Sequence, residues 1–162
     1  APIKFEATET KNSEITTPVI KLEKTFNVNI NTIYRYVSEL KYRHLWDKDV
    51  KRIDFDSHKV NRAGTEHNCV LNIGKIKFET ITEKSENSLI YGEKTKKLLF
   101  AKNLSYLLKL TEIDENKTVV ELNLFLEFTT FGTFMKINIL KVFTKAWKSK
   151  LENLYELAKQ PL

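Results

Sequence analysis

Between positions 134 and 159 the chain has neither Pro nor Gly, and Ile137, Leu140, Phe143, Trp147, Leu151, Leu154 and Ala158 recur at steps of three and four residues. That spacing is an apolar stripe along one α-helix. About 26 residues at 1.5 Å each make a helix roughly 39 Å long, and Pro161 stands where it would stop. A helix with so long an apolar face must lie on an apolar layer of similar extent. The stretch before it supplies one. Six runs rich in β-branched and aromatic residues, at 50–56, 65–73, 75–83, 88–95, 104–113 and 118–128, are separated by short polar turns such as Asn61-Arg62-Ala63-Gly64 and Asp114-Glu115-Asn116-Lys117. Short links make the strands antiparallel. A further strand reads at 19–28. After it, Asn29 or Asn31 can cap a short helix through Ile30, Ile33, Val37 and Leu40, followed by a second turn through Tyr42, His44, Leu45 and Trp46. The segment 96–103 reads either as a loop or as continued strand.

Alternation assigns the faces. His67, Cys69 and Leu71 share one side of their strand, and Val120, Leu122, Leu124 and Leu126 share one side of the last. One face of the sheet is therefore apolar and has to be covered. Glu79, Glu83, Glu93, Glu112, Glu121 and Glu127 mostly alternate with apolar residues, which predicts that they stand on the opposite, solvent face. The class that follows is α+β: an antiparallel sheet of about seven strands, two short helices after the first strand, and the long C-terminal helix.

The length of 162 residues fits one domain, read at 17–162 behind an extension at 1–16 that carries a weak strand-like alternation. Ten Phe supply core volume, which excludes general disorder. The longest uncharged stretch, 25–34, has ten residues, half of what a membrane-spanning helix needs. A single cysteine and no secretory leader pattern point to a reducing, cytoplasmic compartment. The chain begins at Ala1 and Pro2 without Met, which fits a processed start or a piece of a longer protein; a homodimer stays open as well.

Among residues that carry chemistry, His67 and Cys69 are the first pair to weigh. Two apart on one strand, they could be half of a Cys-His nucleophile or of a metal site. No third orienting group follows them and His44 and His58 have no ligand spacing, so a buried Cys and a satisfied His are the expectation, with no metal and no cofactor. Tyr91 and Tyr106 are candidate polar anchors at the edge of an apolar pocket. Four scattered Gly make no phosphate loop. The net charge of +6 is concentrated near the C-terminus, where residues 132–162 hold six Lys against Glu152 and Glu156. Lys141, Lys145, Lys148 and Lys159 fall on one flank of the helix, where they can meet an anionic surface. Arg35 and Arg43 are the only arginine cluster and no exposed aromatics interleave with the lysines, so nucleic acid is not the expected partner.

Certain short segments carry a resemblance. Phe26-Asn27-Val28-Asn29 with Ile33-Tyr34-Arg35-Tyr36-Val37, then Leu45-Trp46-Asp47 before Val50-Lys51-Arg52-Ile53, resemble the entry of the START-like polyketide cyclase and dehydrase (SRPBCC) superfamily. Gly64-Thr65-Glu66-His67-Asn68-Cys69 resembles its Gly-Thr entry to the third strand, and Glu79-Thr80-Ile81-Thr82-Glu83 the exit of the fourth. The resemblance implies the helix-grip fold, a curved sheet wrapped around the long helix with a ligand cavity between them. On this chain the implied lining is Leu71, Ile76, Phe78, Tyr106, Leu108, Leu122 and Leu124 from the sheet, and Ile137, Leu140, Phe143 and Trp147 from the helix, with His67, Cys69 and Tyr91 beside them. Side chains this large could also fill the space entirely. The leading expectation is binding of a small hydrophobic ligand, lipid or polyketide-like. Two alternatives stay open: a cyclase or dehydrase-type enzyme in which His67 or Tyr106 moves a proton, and a protein-interaction module with a filled core. The balance leans against an enzyme, since no residue set commits the chain to catalysis.

Overall fold

The computed structural model describes residues 17–160, so the extension at 1–16 and its expected edge strand lie outside the described residues. The order of elements is β1 (Ile20–Phe26), α1 (Ile30–Ser38), a 3₁₀ turn (Leu40–Tyr42), α2 (Arg43–Trp46), β2 (Val50–Asp54), β3 (Glu66–Leu71), β4 (Gly74–Lys84), β5 (Ser88–Lys96), β6 (Ala101–Asp114), β7 (Lys117–Phe128), α3 (Thr130–Phe134) and α4 (Lys136–Ala158). All seven strands join one curved antiparallel sheet in the order β1-β7-β6-β5-β4-β3-β2. This is the expected helix-grip architecture.

The local causes are visible in the sequence. Asn29 caps α1, its Oδ1 accepting from the Asn31 N–H at 2.8 Å. The hairpin β6–β7 closes at Asp114↔Lys117 and runs in register through Tyr106↔Leu124 and Leu108↔Leu122, so inward residues meet inward residues along its length. Their side chains form the core with Phe26, Ile33, Trp46, Leu151 and Leu154. Burying each large apolar side chain contributes about 1.5–3 kcal/mol before the entropy of ordering it. Trp46 fixes α2 in place: its indole N–H donates to the Tyr36 carbonyl at 3.0 Å, while Asn153 of α4 donates to the Trp46 carbonyl at 3.4 Å. Lys150 of α4 reaches the Asp47 carboxylate at 3.4 Å.

Three expectations are corrected here and one open reading is resolved. The ambiguous segment 96–103 is both things: β5 ends at Lys96, β6 begins at Ala101, and between them Lys97 takes the left-handed backbone at φ 62° so that the chain reverses tightly. The strand expected at 50–56 stops at Asp54, because β2 is an edge and the chain leaves the sheet at Phe55. The helix expected from 134 is interrupted at Met135, which separates α3 from α4; Thr129 caps α3 by accepting from the Gly132 N–H at 3.0 Å. Ile137, expected in the lining, is 71% exposed. It lies ten residues before Trp147, roughly 80° around the helix at 100° per residue, and so on the flank rather than the buried face.

Candidate functional site

The strand parity that makes Tyr91 inward makes Glu93 inward as well, and the fourth correction is here. Glu93, expected on the solvent face, is 1% exposed in the middle of the inner face. On β5 it stands opposite Tyr106 of β6 and Thr80 of β4. Arg43, at the start of α2, is also buried and clamps this carboxylate with both ends of its guanidinium, Nη1 to Oε1 at 2.8 Å and Nη2 to Oε2 at 2.9 Å. Tyr91 Oη donates to Oε2 at 3.0 Å, and Tyr106 Oη donates to Oε1 in a short bond. His67 Nε2 lies 2.5 Å from Oε2, but off the line of an aligned hydrogen bond, so it makes a close polar contact. A second layer holds the first. Asn61 donates to Tyr91 Oη at 2.9 Å and to the Ser38 carbonyl at 2.8 Å, and accepts from Thr80 Oγ1 at 2.5 Å.

Aromatic rings wall the cluster. The Arg43 guanidinium lies 4.9 Å from the Trp46 ring, and Tyr106 packs on Trp147 with centroids 4.7 Å apart. His67 stacks on Phe78 at 6.2 Å. Burial by itself would push the Glu93 carboxyl up; Arg43, with the contact of His67, outweighs it and holds the group well below the usual carboxylate range. Glu93 is an anion. Burial, then the Glu93 charge, pushes the Tyr91 hydroxyl far up; the Tyr106 hydroxyl, raised foremost by burial, is likewise protonated and both act as donors. Burial would lower Arg43, yet Glu93 keeps it firmly charged. Two polar atoms of the cluster, Arg43 Nε and His67 Nδ1, are buried with no partner on the protein. Buried polar groups are nearly always paired, so these two carry spare capacity for hydrogen bonding.

The other expected site residues fall into two groups. Leu108, Leu122 and Leu124 are fully buried and Trp147 nearly so, all packed into the core. Leu71, Phe78, Leu140 and Phe143 are half-buried, the last three packed against the core cluster. Cys69 is buried two residues beyond His67, and its thiol is pushed up to about 12, first by burial and then by Glu93. A thiol held that high is no nucleophile at neutral pH. Among the described residues no group of three or more His, Cys, Asp or Glu could hold a metal ion, and no helix is long and apolar enough to cross a membrane. Two surface grooves border α4: one of about 440 Å³ lined by Leu140, Lys141, Thr144, Lys145 and Lys148, and one of about 310 Å³ between α4 and Lys48 and Asp49.

No family model matches the sequence, and no curated protein matches it. Solved structures do. A hypothetical protein of Helicobacter pylori aligns at TM-score 0.74 with 9% identity, covering 94% of this chain and 100% of that one. Norcoclaurine synthase from Thalictrum flavum, solved in complex with dopamine and hydroxybenzaldehyde, aligns at TM-score 0.63 with 11% identity and 88% coverage of each chain. The major latex-like protein 151 of Panax ginseng aligns at TM-score 0.63 with 8% identity, covering 87% of this chain and 97% of its own. The chain has the START-like helix-grip fold that the short segments resemble.

Proposed function

We propose that the protein binds a small apolar molecule bearing one polar group, lipid or polyketide-like, between the inner face of the sheet and α4. The observation that carries this reading is the Glu93 cluster. A buried ion pair with its hydrogen-bonding retinue adds little net stability compared with apolar side chains of the same volume, while perturbed ionisable groups gather at functional sites. Here the pair sits in the core with Arg43 Nε and His67 Nδ1 unpartnered, and His67 stacks on the half-buried Phe78. Apolar burial holds the body of the ligand and the spare polar atoms read its head. Norcoclaurine synthase, whose fold this chain shares, is solved in complex with dopamine and hydroxybenzaldehyde, small molecules that combine an aromatic body with polar groups.

A thermal-shift and native mass-spectrometry screen with oleate and hydroxybenzaldehyde as probes tests it. A ligand present at about 100 times its Kd stabilises by about 2.7 kcal/mol, or roughly 5–11 °C in a domain of this size. Leu140→Trp, a bulkier side chain at a half-buried position where α4 packs on the core, abolishes the shift without unfolding the chain. Absence of any shift or bound mass with either class of probe refutes the proposal. One observation favours a second reading, proton-transfer catalysis: His67 and Tyr106 both meet the same ionised carboxylate, which can balance a proton moved at His67. Turnover lost in His67→Ala with the fold retained supports that reading, and full turnover removes His67 from it.

A further inference from the structure

The end of the molecule where α3 meets α4 is built against the usual surface rule. Phe134 is 85%, Leu99 77%, Ile137 71% and Phe131 50% exposed. They come from two segments held side by side: Thr129 donates its N–H to the Phe100 carbonyl at 3.1 Å and its hydroxyl to the Leu99 carbonyl at 2.8 Å. A Cβ on Gly132 would come within 1.8 Å of the Phe100 oxygen, so only glycine lets α3 lie this close to the loop. The loop tip is pinned as well, by the Leu98 N–H donating to the Ala101 carbonyl at 2.9 Å beyond the left-handed Lys97. Four large apolar side chains are thus presented by ordered backbone. Scattered apolar residues on a surface need no explanation, but a grouped set does.

Within the segments that carry them the charge has one sign. No Asp or Glu occurs between Glu93 and Glu112, nor between Glu127 and Glu152, the two stretches that build this end. Lys96, Lys97, Lys136, Lys141, Lys145 and Lys148 are exposed, and none forms an ion pair among the described residues. The groove of about 440 Å³ lies on the same flank, with Leu140 and Thr144 at its floor and three of these lysines at its rim.

We infer that this end docks the protein on an anionic lipid surface, with Leu99, Phe131, Phe134 and Ile137 entering the headgroup and acyl boundary and the lysines meeting lipid phosphates. Protruding apolar tips within a positive field are the combination that interfacial binding uses. A second copy of the chain offers no such complement: face-to-face pairing through this end would set lysines against lysines. An anionic bilayer supplies both the apolar phase and the opposite charge, and the inference does not depend on what the interior binds.

Co-sedimentation of the full chain with vesicles of phosphatidylcholine alone, or mixed with phosphatidylserine, tests it. The expected result is binding to the mixed vesicles, little to phosphatidylcholine alone, and release as salt shortens the range of the charge interaction. The double variant Phe134→Ser/Ile137→Ser lowers the partition coefficient at least tenfold, and Lys141→Glu/Lys145→Glu does so with every apolar tip intact. Ile73→Ser, at an equally exposed residue in the β3–β4 turn, leaves binding unchanged. All five positions are exposed, so thermal unfolding confirms that each variant keeps the fold. The inference is overturned by equal sedimentation with neutral and anionic vesicles, by no effect of the Phe134/Ile137 pair, or by a concentration-dependent dimer in analytical ultracentrifugation that Phe134→Ser dissolves.

Discussion

Replacing Glu93 by Gln keeps the shape of the side chain and removes its charge. Arg43 is then left 2% exposed with no counter-ion, because Glu93 alone faces both ends of its guanidinium. Breaking a buried pair on one side costs about 3–5 kcal/mol. Against a typical domain stability of about 5–15 kcal/mol that is a severe loss, equivalent to a fall in Tm of roughly 6–20 °C. Urea titration read by tryptophan fluorescence suits the measurement, since Trp46 lies against Arg43 and Trp147 against Tyr106. Adding Arg43→Met to Glu93→Gln removes the stranded cation, so the double variant is more stable than additivity allows, by about 1–3 kcal/mol. The pH dependence follows from the lowered carboxyl. The unfolded chain, with an ordinary Glu near 4.3, takes up its proton before the folded chain does. The contribution of Glu93 is therefore complete above that value and is lost as pH falls toward the folded one; Glu93→Gln flattens this acid slope. A cost below about 1 kcal/mol with an unchanged acid slope would refute the claim that the core holds a true ion pair.

Three further outcomes are expected. Leu154→Ala, at a fully buried position where α4 meets the core, costs about 2–5 kcal/mol in denaturant titration, the range for a cavity in a packed interior. Gly92→Ala sets a Cβ 2.3 Å from the Tyr106 carbonyl oxygen and 2.6 Å from Leu107; it separates β5 from β6 next to Glu93 and lowers stability by at least about 1–3 kcal/mol, whereas a small change would mean the strands part easily. Cys69, buried and with its thiol raised to about 12, resists alkylation by iodoacetamide at neutral pH, and its reaction rate under urea follows global unfolding; fast labelling of the native chain would contradict its placement.

Periodicity carried most of the fold, because a sheet buried on one face and a helix buried on one stripe write their contacts into spacings of two and of three to four. It failed where contacts across the fold decide. The break at Met135 depends on α3 packing under the loop at Phe100, a contact no local pattern encodes. At the site, Tyr91, Tyr106 and His67 were legible as inward polar groups, whereas Glu93 and Arg43 were not. Glu93 sits between Gly92 and Lys94 and looks like one more member of a solvent-facing series. Its parity with Tyr91 was the available signal, and a Glu sharing the face of an inward Tyr requires a buried cation nearby. Arg43 gave no signal of its own, since it reaches the cluster from α2, fifty residues away in sequence.

The pairing of β1 with β7, Ile20↔Leu124 through Phe26↔Thr118, sets a timetable for synthesis. Among the described residues, the first strand finds its neighbour in the sheet roughly one hundred residues later, a separation that slows folding in general. At about 5–20 residues per second on the ribosome, β1 waits on the order of 5–20 s for β7 to be made, and longer for α4 to be released from the exit tunnel. During that interval Lys21, Glu23 and Lys24, spaced among Ile20, Leu22 and Phe26, are what keeps the nascent edge from pairing with another chain. A ribosome stalled before position 117 therefore displays a sheet with one side open and a strand without a berth, the state in which a chaperone has most to hold.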